Sequence, residues 1–299
     1  MKRTKGWLSL GAALCALVGA TSVGAASATP LRVTAAESIW GDLATQLGGP
    51  RVVVTSIVSN PAADPHDYEP TAIDARALAG ADLAIVNGAG YDPWATKLLD
   101  ANPVKHRLTL NVAHLADVRN GENPHLWYAP SDISLIATAI TAALTQLDPA
   151  GRDAYARCSL AFRTHGLATY LSAIASIRSL YAGANIGASE SIVVPLARAL
   201  ELNIKTPAGL MRAVSEGGDP SVQDIAIAQR QIARHEISVW IENSQNTTPD
   251  VQRLTKAARA QGIPVVSITE TLSPRGASFQ AWQTAQLTAL KNALARGNA

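Results

Sequence analysis

Two of the six histidines in this 299-residue chain sit in loops built for rigidity. His66 lies in the stretch Asn60-Pro61-Ala62-Ala63-Asp64-Pro65-His66-Asp67-Tyr68-Glu69-Pro70, and His125 in Glu122-Asn123-Pro124-His125-Leu126-Trp127. Each follows a proline, which stiffens the backbone and restricts the residue before it. Each also falls after a β-branched apolar run and before a helical pattern. A stiff loop holds an imidazole at fixed geometry, which a metal ligand requires. Two acids occupy matching places later in the chain. Glu190 follows Ile186-Gly187-Ala188, and Glu270 follows Val265-Val266-Ser267-Ile268-Thr269. On position alone, these acids either complete a mixed nitrogen and oxygen metal site, cap helix starts, or pair with arginines. The other histidines read as solvated: His106 and His114 flank a strand, His165 lies in a long helical stretch, and His235 is near a helix end.

Other site chemistries lack their motifs. There is no phosphate-binding G-x-x-x-x-G-K-[ST], no H-E-x-x-H and no G-x-S-x-G. Ser189-Glu190-Ser191 has no evident histidine partner. Asn87-Gly88-Ala89-Gly90 lacks the dinucleotide spacing and reads as a turn, with Tyr91 and Trp94 beyond it as core or cleft-wall residues.

The elements that must position these residues alternate. Strands are expected at 31–34, 51–57, 83–87 and 107–111, then at 185–188, 237–241 and 265–268. Helices are expected at 38–47, 71–79, 91–101, 131–147, 191–200, 221–235, 249–261 and 278–295. Strand–helix alternation predicts an α/β fold with parallel sheets flanked by helices. In such sheets ligands bind beyond the carboxyl ends of strands, where both histidines and both glutamates fall. The stretch from Asp148-Pro149 to Tyr181 has no strand pattern. Asp148 is placed to cap it, Pro149 suits its first position, and Leu160, Leu167, Leu171, Ile174, Ile177 and Leu180 recur at helical spacing. Gly183 suits its stop. Some thirty helical residues reach about 45 Å, long enough to run as a strut from one lobe to another. The expected organisation is an N-terminal lobe at 29–148, a linking helix at 149–183 and a C-terminal lobe at 184–299.

Residues 1–28 read as a cleaved signal peptide: Lys2, Arg3 and Lys5, an apolar run from Trp7, then Ala26-Ser27-Ala28. The secreted chain would then be periplasmic. Cleavage would remove Cys15 and leave Cys158 as a single thiol. It would also remove three of the 25 basic residues and none of the 23 acidic ones, so the net charge of +2 belongs to the leader. A balance this near neutral does not suit a nucleic-acid partner. With 47% hydrophobic and 16% charged residues, the chain is too apolar to be disordered.

Four segments together resemble the periplasmic metal-binding solute-binding proteins of zinc/manganese-type ABC transporters. They are DPHDYEPTAIDARALAGADLAIVNGAGYDPW (64–94), NPHLWYAP (123–130), ASESIVVPLARALEL (188–202) and IPVVSITETL (263–272). The resemblance implies two α/β lobes joined by one long rigid helix, with a metal site in the interlobe cleft. It implies one metal ion held by His66, His125, Glu190 and Glu270, two ligands from each lobe. Glu37 follows the first strand and is a further candidate to line the cleft, as a ligand or beside one. Many zinc-type members have a third histidine where this chain has Glu190, and some carry a long His-rich loop that is absent from 112–123. A pair of two-toothed carboxylates favours higher coordination, which places Mn²⁺ slightly ahead of Zn²⁺, with Fe²⁺ also accommodated. The implied function is capture of the ion in the periplasm and delivery, as a monomer, to an inner-membrane permease, with no catalysis. The alternatives are a metal-dependent hydrolase, which needs an open coordination position and a general base, and a receptor for a small organic solute, which needs an aromatic or arginine clamp.

Overall fold

The computed structural model describes residues 29–297. The expected signal peptide, Cys15 included, lies outside them. The first sheet contains β1 (Leu31–Glu37), β2 (Val52–Val58), β3 (Leu83–Val86) and β4 (Leu108–Asn111), in the order β2-β1-β3-β4. The second contains β5 (Asn185–Ala188), β6 (Asn203–Ile204), β7 (Val239–Asn243) and β8 (Val265–Ile268), in the order β6-β5-β7-β8. All six pairings are parallel. The two halves thus repeat one winding. Each strand order reverses beside its first strand, which opens a crevice at the carboxyl ends.

Helices cover both faces, so central strands are apolar throughout rather than alternating. Leu83, Ala84 and Ile85 of β3 have no exposed surface. The first half carries α1 (Ser38–Gly48), α2 (Ala72–Ala79), α3 (Pro93–Ala101), α4 (Val112–Leu115) and α5 (Pro130–Leu147). Helix α1 buries Ile39, Trp40, Leu43 and Leu47 at helical spacing. Thr71 and Asp74 close a capping box at the start of α2. After the linking segment come α8 (Val194–Ala199), α9 (Ala208–Ser215), α10 (Val222–Ala233), α11 (Pro249–Ala260) and α12 (Phe279–Gly297). Ser221 and Thr248 cap α10 and α11 through their hydroxyls.

The linking segment is helical but not one uniform helix. It runs as α6 (Arg152–Ala161), a π-helical turn at Phe162–Gly166 and α7 (Ala168–Tyr181). A π turn is a recognised cause of a bend in a long helix. Asp148 does not cap it: its carboxylate accepts from Arg51 Nε (2.7 Å) and the Tyr155 hydroxyl (2.8 Å). Gly183 does end it, at φ +82°. Helix α5 begins at Pro130, one residue before its expected start, and no side chain caps it. Two short elements, β6 and α4, have too few residues to show a period; α9, with Leu210, Met211 and Val214 buried on one face, is absent from the expected helices although its spacing is helical.

One apolar cluster runs from Val33 on β1 to Leu294 on α12 and includes residues of both sheets. Gly187 in β5 shows how tightly the second sheet is covered. A Cβ there would lie 2.6 Å from the Trp240 ring and 2.7 Å from Ile237 Cδ1. Gly187→Ala should therefore destabilise the protein by about 1–3 kcal/mol, read as a lower denaturant midpoint. An unchanged midpoint would show that Trp240 has room to move.

Candidate metal centre

His66 sits in a single helical turn, Pro65–Asp67, after β2. The Asp64 carboxylate accepts the His66 backbone N–H at 2.9 Å and holds that turn. His125 precedes the turn Leu126–Tyr128, which anchors it by burying all three residues. The Asn123 carbonyl oxygen lies 3.0 Å from the His125 backbone N–H and 2.9 Å from His125 Nδ1. An acceptor there assigns the proton to Nδ1 and leaves the Nε2 lone pair free, the usual arrangement for a metal-ligating histidine. The Asn123 amide also donates to Ser191 O across the cleft (2.7 Å).

Glu270 is the meeting point. Its Oε2 lies 3.2 Å from His66 Nε2 and 3.4 Å from His125 Nε2, and it accepts from the Tyr91 hydroxyl at 2.8 Å. His66, His125 and Glu270 form a group whose ligand atoms all lie within 4.8 Å of one another. Glu270 is fully buried, His125 is 1% exposed, and the His66 imidazole is 25% exposed. His125 Nε2 is buried without a hydrogen-bond partner. A buried ring nitrogen with no partner is costly unless something else takes its lone pair.

Glu190 is buried too, but its oxygens face amides. Oε1 accepts from Asn243 Nδ2 at 2.5 Å and Oε2 from Asn246 Nδ2 at 3.1 Å. The same Asn243 Nδ2 donates to Glu270 Oε1 at 2.6 Å. Glu190 is therefore one amide away from the cluster rather than within it. Neither glutamate caps a helix through its side chain or pairs with an arginine. Glu37, 2% exposed, is drawn elsewhere. Burial and neighbouring Asp92 push its carboxyl well above the ordinary range, and both its oxygens are buried without a hydrogen-bond partner. The other four histidines are exposed and enter no metal-ligand cluster among the described residues.

The electrostatics match this geometry. Burial would lower His66, but its hydrogen bond to Glu270 and the charges of Glu270, Asp64 and Glu190 push it up to about 9. Burial and the charge of Glu270 push Glu190 up to about 8. Burial would raise Glu270, yet the two imidazoles that face it, His125 and His66, hold it below the usual carboxylate range. One carboxylate is thus ionised and the other protonated at neutral pH, as expected of two acids sharing one buried site.

The cluster opens onto a cleft of about 1310 Å³ walled by Tyr68, Tyr91 and Trp94 from one half and Val194 and Met211 from the other. Tyr91, expected to be core or cleft wall, lines the cleft and also holds a site carboxylate. The asparagines 123, 243 and 246 were not singled out by the sequence. Asn243 ends a strand, the same signal that marked the histidines and glutamates.

Two parallel-sheet halves around a buried imidazole–carboxylate cluster define the fold of the periplasmic metal-binding proteins. The periplasmic zinc-binding protein TroA of Treponema pallidum shares it, with TM-score 0.74 at 20% identity over 89% of this chain and 99% of that one. The chain belongs to the family described as zinc-uptake complex component A, periplasmic, whose model matches residues 33–293. Relatives include a manganese-binding lipoprotein, MntA, of Halalkalibacterium halodurans, 31% identical over 129 residues and 42% of each chain. Another is the metal ABC transporter substrate-binding lipoprotein FimA of Streptococcus parasanguinis, 32% identical over 52% of this chain and 55% of that one. The chain spans about half the length of these relatives.

Proposed function

We propose that the chain is the substrate-binding component of an ATP-driven importer of divalent transition metals. It is exported by a cleaved signal peptide, captures Mn²⁺ or Zn²⁺, with Fe²⁺ also accepted, in the periplasm, and delivers the ion as a monomer to an inner-membrane permease. Residues 29–148 and 184–299 are the two lobes, and 149–183 is the link. His66, His125 and Glu270 supply three ligand atoms, and Glu190 turns from Asn246 to supply the fourth. No reaction is catalysed, and no nucleic acid is bound. The observation that carries this reading is the buried, unpartnered Nε2 of His125, aimed at the same carboxylate oxygen as His66 Nε2. An ion placed among these atoms satisfies all of them. Isothermal titration of metal-stripped protein with Mn²⁺ and Zn²⁺ tests the reading, and binding no tighter than micromolar for either overturns it.

Binding should also depend on pH with a definite sign. His66, at about 9, and Glu190, at about 8, both hold protons at neutral pH in the metal-free protein. Both protons must leave before these atoms donate to an ion. Affinity should rise between about pH 6 and about pH 9, with release of about two protons per ion at neutral pH. Titration in buffers of different ionisation enthalpy counts those protons. Proton uptake, or affinity that is flat across the range, would contradict the assignment.

A further inference from the structure

Asn243 is the last residue of β7 and has no exposed surface. Its orientation is set from two sides. Its Oδ1 accepts the Gln245 backbone N–H at 3.0 Å, and its own backbone N–H donates to Ser189 Oγ at 3.1 Å. Nδ2 is thereby aimed into the site. A primary amide has two hydrogens, and here both are committed, one to Glu190 Oε1 at 2.5 Å and one to Glu270 Oε1 at 2.6 Å.

We propose that Asn243 is a metal-selectivity residue: by holding Oε1 of each glutamate against its amide, it orients both carboxylates for one-toothed binding through Oε2 and tilts the site toward Zn²⁺ over Mn²⁺. The inference rests on the metal-binding reading above. With Oε1 of Glu270 held, only Oε2 faces the two histidine nitrogens. With Oε1 of Glu190 held, only Oε2 is left, and its partner Asn246 is the longer contact at 3.1 Å and the easier one to give up. The four side chains then offer four donor atoms, two nitrogens and two oxygens. Zn²⁺ accepts four such ligands in a tetrahedron, whereas Mn²⁺ favours six oxygen-rich positions. Freeing both Oε1 atoms would add up to two donors and bring the set to six. Asn246 differs, because it touches Glu190 alone and also donates to Val214 O at 3.0 Å.

The test compares full-length wild type with Asn243→Ala and Asn246→Ala. Competition titrations give the dissociation constants for Zn²⁺ and Mn²⁺, and X-ray absorption gives the coordination number of each bound ion. In Asn243→Ala the ratio of the Mn²⁺ constant to the Zn²⁺ constant should fall about 10- to 100-fold, the span seen for outer partners of metal ligands. The Mn²⁺ coordination number should rise with it. Asn246→Ala should move both constants together and leave their ratio near that of wild type. A purely structural role for Asn243 would weaken both metals alike and leave the coordination number unchanged. Should Asn243→Ala fail to fold, Asn243→Leu keeps the volume, has no hydrogen to donate, and should shift the ratio the same way. Wild type that binds both metals, with an unchanged ratio and coordination number in the Asn243 variant, overturns this inference alone. Wild type that binds neither metal overturns the underlying reading along with it.

Discussion

Metal-stripped protein carrying His66→Ala and His125→Ala together should bind neither Mn²⁺ nor Zn²⁺ at concentrations that saturate the parent. The two imidazoles are the only nitrogen donors in the cluster, and without them an ion would meet only carboxylate oxygens and cleft water. A four-ligand zinc site is worth roughly 10–16 kcal/mol in apparent binding free energy, or about 3 kcal/mol per ligand. Losing two ligands therefore removes about 6 kcal/mol, about four decades in affinity. The fold should survive the change. The His66 imidazole is a quarter exposed, and the segment after His125 is anchored by Leu126, Trp127 and Tyr128. Unaltered far-ultraviolet circular dichroism with no heat of binding is the expected pair of results. Tight binding retained by the double variant would place the site elsewhere.

Glu270→Gln is expected to be nearly as damaging and to leave a second mark. Glutamine has the same shape and can still accept from Asn243 at one atom. At the other atom, an amide NH₂ would replace the oxygen that now lies 3.2 Å and 3.4 Å from the two Nε2 atoms. That group donates hydrogen bonds to the imidazoles and occupies the lone pairs meant for the ion. Loss of one ligand costs about 3 kcal/mol, or roughly a hundredfold in affinity, and the blocked imidazoles add to it. The second mark is on His66. Its proton is retained up to about 9 because Glu270, Asp64 and Glu190 together outweigh the effect of burial. With Glu270 neutral, burial regains the upper hand and the titration of His66 should move down by proton NMR. A midpoint still near 9 in the variant would show that Asp64 and Glu190 hold that proton instead.

Much of the architecture was legible in the chain. Seven of the eight strands stand where runs such as Leu83–Val86 and Val265–Ile268 place them, because strands covered on both faces must be apolar throughout. The strand that escaped, Asn203–Ile204, has two residues and no pattern to read. The linking segment is helical, as its spacing implied, but a π turn at Phe162–Gly166 interrupts it, and Leu160, Leu171 and Leu180 of that spacing are exposed. Asp148 has the right side chain for a cap, but Arg51, distant in sequence, draws its carboxylate away.

The site divides in the same way. The donor types and their loops are local facts: a Pro-His pair after a strand stays there however the lobes pack. From these the sequence by itself determined that imidazoles and carboxylates gather at the carboxyl ends of parallel strands. The side-chain pairings were decided only by the tertiary structure. Oε2 of Glu270 faces the histidines because Asn243 holds Oε1 and Tyr91, 179 residues away, donates to Oε2. Glu190 stands one amide outside the cluster for the same kind of reason. The expectation of two-toothed carboxylates, which leaned toward Mn²⁺, rested on donor types alone. Which oxygen meets which partner depends on contacts between residues far apart in sequence, Asn243 and Asn246 within the second half and Tyr91, His66 and His125 from the first, and those exist only once both sheets have packed around one core.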